Sequence, residues 1–145
     1  MYRQARIYIK TAFIQLAISV ILGAILLTNT GLTINPYLSL LVPVYYHLLM
    51  AGWATQLIGG VALWMFPPLS RERPRGDERF GWVAYAALNG GLLLRAVAEP
   101  LHAIRPQLWT SWALVISAIL QAGAIWLLVM ALWPRVKGRT EVGRS

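Results

Sequence analysis

Four apolar runs, each about as long as the 20 residues a helix needs to cross a bilayer, constrain this chain more than any other feature. They cover about 7–28, 38–66, 80–98 and 108–133. Within the 145 residues they leave short loops and tails and no room for an aqueous domain. With 58% hydrophobic and 12% charged residues, the chain has too little polar surface to cover a soluble fold of this size. The expected fold class is all-α: a single domain over 1–145, built as a four-helix transmembrane bundle.

Punctuation between the runs supports this division. The first run follows the basic start Met1-Tyr2-Arg3-Gln4-Ala5-Arg6 and is interrupted only by Lys10 and Gln15. It is longer than a secretory signal and ends in Leu27-Thr28-Asn29-Thr30-Gly31, with no small-residue cleavage pattern, so it is expected to be retained as an anchor. Pro67-Pro68 stop the second run. Residues 69–79 carry four arginines with Pro74 and Gly76 as breakers and read as a solvated loop. Glu99-Pro100 is expected to close the third helix, because a residue before proline disfavours the helical region. Pro134 ends the fourth, and the tail has the composition of a flexible end.

Of the 13 Lys and Arg, eleven lie in the two tails and the middle loop. The net charge of +8 therefore reads as membrane orientation, with no nucleic acid as partner. Arg3, Arg6 and Lys10, the loop arginines and the C-terminal cluster all fall on one side. By the positive-inside rule both termini and the middle loop face the cytoplasm, in the cell's inner (cytoplasmic) membrane. Tyr2, Tyr8, Trp64, Phe80, Trp82 and Trp133 then mark one interface, and Tyr37, Trp109 and Trp112 the other.

The chain has no cysteine, which excludes disulfides, thiolate metal sites and covalent haem attachment. Each run carries one amide near its middle: Gln15, Gln56, Asn89 and Gln121. Hydrogen bonds between helices are the ordinary use of such groups; a quinone or proton path is the sharper one. Gly52, Thr55, Gly59 and Ala62 form a small-residue stripe, and Gly90-Gly91 another. These permit close helix packing or leave room for a flat macrocycle.

His47 lies about nine residues into the second run, roughly 14 Å below the outer edge at about 1.5 Å per residue. An intramembrane histidine is either a hydrogen-bonded core residue or a ligand for haem iron. Arg95, Glu99 and His102 are spaced i, i+4, i+7 and share one helix face if the turn survives Pro100. Arg95 then pairs with Glu99 or with a haem propionate. His102 is expected at or beyond the helix end, a second axial ligand only if its loop folds back toward His47.

Residues 47–67, HLLMAGWATQLIGGVALWMFP, carry a histidine, Gly-Trp five and six residues on, then glycine and an aromatic-proline exit. This stretch resembles the histidine-bearing helices of the haem–copper oxidase superfamily, especially the nitric oxide reductase and cbb3-type branch. SRERPRG (70–76) and LNGGLLLRAVAEP (88–100) look like the small four-helix proteins that accompany such enzymes or are identified as fragments of their catalytic subunit. The resemblance covers about a third of the chain, and His47 alone matches a family ligand.

The catalytic subunits of that family span about a dozen helices and use six histidines; this chain has two histidines. The resemblance therefore implies a non-catalytic accessory subunit of a nitric oxide reductase or terminal oxidase, with respiratory-complex membrane subunits and lipid as partners. The alternative is an electron carrier binding b-type haem or quinol, with His47, Arg95 and His102 as the haem site. A small transporter finds little support, because intramembrane charge is confined to the boundaries and no broken-helix pair occurs.

Overall fold

A computed structural model describes residues 1–69 and 77–136. The arginine-rich segment 70–76 and the tail 137–145, read above as a loop and a flexible end, lie outside the described residues. The rest is helical, with no strand among the described residues, and four helices are long and apolar enough to cross a membrane. We label them α1 (Arg3–Leu32), α2 (Pro36–Met65), α3 (Glu78–Ile104) and α4 (Leu108–Arg135).

α1 runs past both expected boundaries. At its far end the Thr28 and Thr30 hydroxyls donate to the carbonyls of Ala24 and Leu26, satisfying side-chain polarity within the helix. It stops at Thr33, whose left-handed backbone (φ 47°) lets its N–H bond the Asn29 carbonyl. The Asn29 amide oxygen accepts the Asn35 N–H and the Asn35 oxygen accepts the Tyr37 N–H, so two asparagines fold the turn into α2.

α2 is not uniform. It opens as a 3-10 turn (Pro36–Leu41), passes through an α segment (Val42–His47) and a π-helical stretch (Leu48–Thr55), and finishes as α-helix (Gln56–Met65). The wider π turn leaves its own mark: the Thr55 hydroxyl donates to the Met50 carbonyl five residues back.

α3 begins at Asp77, whose carboxylate accepts the Arg79 N–H. The expected stop at Glu99-Pro100 is wrong: α3 continues through Pro100 to Ile104. The proline removes one backbone donor, whereas ending the helix there would free several carbonyls at membrane depth, a larger cost. His102 accordingly lies within the last turn of α3, not beyond it. α4 starts with a capping box between Gln107 and Thr110.

Side-chain pairs give the topology. Gln4 reaches Glu78, Tyr8 reaches Gly81 and Gln15 reaches Asn89, so α1 and α3 run parallel. Gly60 meets Tyr8, Gly52 meets Gln15 and Gly23 meets Tyr45, so α2 runs antiparallel to α1. α3 and α4 are antiparallel and form the closest-packed pair. One core cluster (Ala5, Tyr8, Leu63, Ala84, Leu128) lies at the end bearing the N-terminus, and a second (Leu88, Leu92, Ala124) nearer mid-bundle. Beyond Ser19 no residue of α1 is buried, so the bundle opens toward the Asn29 end.

The small-residue stripe on α2 divides among neighbours instead of serving one. A Cβ on Gly52 would meet Gln15 of α1 and one on Gly59 would meet Leu128 of α4, while Gly60, outside the stripe, meets Tyr8 and Ile9. On α3, Gly91 packs against Ser117, Leu120 and Gln121, while Gly90 faces open space.

Candidate functional site

Three of the four mid-helix amides form one chain. Gln15 Nε2 donates to Asn89 Oδ1 at 2.6 Å, and Asn89 Nδ2 donates to Gln56 Oε1 at 3.0 Å and to the Tyr85 carbonyl at 2.9 Å. Gln56 Nε2 donates to the Tyr8 carbonyl at 3.3 Å, and Gln56 is fully buried. The sequence gives α1, α2 and α3 one such group each; the packing brings all three to one level. Tyr85 extends the set through its hydroxyl, 2.7 Å from Thr11 Oγ1. Among the described residues two buried side-chain polar atoms have no hydrogen-bond partner: Gln15 Oε1, pressed against Gly52, and Trp53 Nε1.

Gln121 stays outside this chain. Its Nε2 donates to Ser117 on its own helix, and Ser117 Oγ passes a bond to the Gly91 carbonyl at 2.7 Å. The interhelical bond given above as the ordinary use of such an amide is replaced at Gln121 by one to a serine a turn earlier on the same helix. The i, i+4 pair Ser117/Gln121 was the available signal.

His47 is part-buried and lines a groove of about 350 Å³ with Tyr46, Met50, Ala51, Thr55 and Gln121. Its Nδ1 lies 2.9 Å from the Pro43 carbonyl. A carbonyl only accepts, so Nδ1 carries the proton, and in the neutral ring Nε2 keeps its lone pair. The groove opens on the outer face of α2 and α4. A wider one of about 490 Å³ lies on the other side of Tyr46, between α1 and α2, lined by Gly23, Leu27, Thr30 and Tyr45 among others.

Arg95 and Glu99 form a two-pronged pair, with Nε and Nη2 each 3.1 Å from a carboxylate oxygen. Both side chains are largely shielded, at 22% and 16% exposure, so the arginine's charge is met inside its own helix. His102 Nδ1 is 2.8 Å from Thr110 Oγ1. The threonine hydrogen goes to the Gln107 carbonyl, so the histidine is the donor in that contact.

A single-chain haem cradle does not fit this arrangement. The propionate-binding role suggested for Arg95 is taken by Glu99, and His102 is tied to the α3–α4 turn. Neither lines the groove that holds His47. Both histidines make their protein contact through Nδ1, and of the two only His47 stands in the groove; a group held there would draw any second ligand from Met50, which lines the same groove, or from another chain.

Sequence reasoning missed Arg135, counted above with the tail. It is buried to 4% exposure, and its guanidinium donates to the carbonyls of Leu63 (3.1 Å), Phe66 (2.6 Å) and Pro67 (3.1 Å). It thereby caps the end of α2 from α4. The only sequence hint is its place directly after Pro134. No family model matches this chain, and comparison with curated proteins and with solved structures finds no match.

Proposed function

We propose that this chain is a non-catalytic membrane subunit that binds laterally to a haem–copper-type respiratory complex, a nitric oxide reductase or terminal oxidase, in the inner membrane. The observation that carries this reading is the position of His47. The residue that matches a ligand of the family stands in a groove on the outer face of α2 and α4, where a neighbouring chain has access to it. The 47–67 resemblance then belongs to a contact surface. In contrast, the interior beside it is filled by the protein's own amides. Extraction of the tagged protein in mild detergent is expected to bring reductase or oxidase subunits with it on a native gel. A lone monomer, with those enzymes migrating elsewhere, would remove the reading.

The orientation belongs to the same proposal: Arg3, Arg6, Arg79 and Arg135 share one end of the bundle, which faces the cytoplasm. Since the chain lacks cysteine, Ile34→Cys and Arg79→Cys can be compared in intact cells with an impermeant thiol reagent. Labelling at position 34 alone is expected; labelling at position 79 alone reverses the topology.

A second reading, a b-type haem or quinol carrier shared with a neighbouring subunit, is favoured by the Nδ1 bond to Pro43, which leaves Nε2 able to coordinate or accept a hydrogen bond. Haem would supply one-electron transfer when bound; His47 would hold and orient it. A reduced-minus-oxidised spectrum of wild type and His47→Ala decides this, because the band must be present in the first and lost or shifted in the second.

A further inference from the structure

α1 is two-faced in a way the bundle does not use. Its buried residues are Gln4, Ala5, Tyr8, Ala12, Gln15 and Ser19. At about 100° per residue these six centre on one direction, and Arg3, Arg6 and Lys10 fall within about 30° of the opposite one. All three cations are exposed. They therefore point away from α2 and α3, into whatever surrounds the bundle.

Among the described residues no carboxylate pairs with them. Asp77 and Glu78 begin α3, on the packed side of α1, where Gln4 meets the Glu78 carbonyl and Asp77 caps the Arg79 N–H. Among the described residues Arg3 and Lys10 form no ion pair, and Arg6 spends one donor on the Met1 carbonyl at 3.3 Å. Below the cations the same face turns apolar and stays exposed: Phe13, Ile14 and Ile21 continue it toward mid-helix.

From this face we infer a binding site for an anionic phospholipid, its phosphate held by Arg3, Arg6 and Lys10 and its acyl chains laid along Phe13, Ile14 and Ile21. The three cations span about 10 Å of helix axis at about 1.5 Å per residue. Lys10, the deepest, extends its stem along apolar surface and lifts its ammonium to the headgroup level. Arginine presents paired donors that match a phosphate. A zwitterionic headgroup carries its own cation and meets this row with repulsion as well as attraction. An anionic headgroup meets attraction alone.

Native mass spectrometry of the delipidated full-length protein, titrated with phosphatidylglycerol or phosphatidylcholine of the same chains, tests this site. Each juxtamembrane cation contributes enough that a preference of about tenfold or more for phosphatidylglycerol is expected. Arg3→Gln/Arg6→Gln/Lys10→Gln should abolish the preference, while Arg79→Gln should keep it. All three altered side chains face away from the core, and circular dichroism verifies the fold; if the triple variant misfolds, Lys10→Gln alone must still lower the preference severalfold. Equal binding of the two lipids, or an unchanged preference in a folded triple variant, overturns the proposal. Complete displacement of phosphatidylglycerol by millimolar inorganic phosphate would also overturn it, since the anion alone would then suffice without the acyl-chain path.

Discussion

The side-chain oxygen of Gln15 fills the space where a side chain on Gly52 would begin: a Cβ there would collide with Gln15 Oε1. The glycine on α2 and the glutamine on α1 are thus one fitted pair, and the fit aims Gln15 Nε2 at Asn89.

Gly52→Ala must therefore push Gln15 aside and break the Gln15–Asn89 bond, costing about 1–2 kcal/mol, the upper range for such bonds in lipid. Thermal unfolding in detergent should show a lower midpoint. Gln15→Ala in the same chain removes the obstruction, and the double variant should lose less than the sum of the two single losses.

Adjacent glycines on α3 should behave oppositely. A Cβ on Gly91 would lie 3.1 Å from the Ser117 carbonyl oxygen and 3.0 Å from Gln121 Cγ, whereas Gly90 has nothing within 4 Å. Gly91→Ala should destabilise. Gly90→Ala should be neutral or stabilise by up to about 1 kcal/mol through helix propensity. Paired melting curves of the two variants provide the measurement.

Arg95 and Glu99 should show coupling. Removing either partner leaves the other's charge poorly compensated near the end of a membrane helix. Arg95→Leu and Glu99→Gln should each lower the melting temperature, and the double variant should recover much of the loss. Simple additivity would instead mean that lipid headgroups neutralise Arg95.

Arg135 ties the end of α4 to three carbonyls at the end of α2. Charged hydrogen bonds contribute about 1.5–3 kcal/mol each in favourable cases, and all three depend on the planar guanidinium. Arg135→Gln should destabilise by at least about 2 kcal/mol and raise amide hydrogen exchange over residues 62–66. Arg135→Lys should recover less than half, because a single ammonium cannot reproduce the fork.

The four spans were legible in the sequence because the bilayer imposes a length and a polarity that composition cannot disguise. The intramembrane amides stood out for the same reason. Which helix each amide meets was not legible: Gln121 turns to Ser117 of its own helix, a choice set by distance within the packed bundle. The π stretch in α2 was hidden because a regular 3.6-residue period carries no mark of it; Thr55, at its end, lines the groove with His47. Pro100 misled because the steric preference it imposes on the residue before it is a smaller cost than the several carbonyls a helix end would free at membrane depth. Arg135 was read by its neighbours in the sequence and not by the carbonyls waiting at the end of α2.

The amide chain joins two glutamines on the first pair of helices to an asparagine on the third. During synthesis α1 and α2 leave the ribosome before α3, so Gln15 and Gln56 enter the lipid before Asn89 is available. Until α3 arrives, Gln56 can already donate to the Tyr8 carbonyl across the hairpin, but Gln15 Nε2 and Gln56 Oε1 still lack the partner that Asn89 supplies. The polar contact that locks the finished bundle therefore closes last, when the third helix brings Asn89 between two amides that are already waiting in lipid.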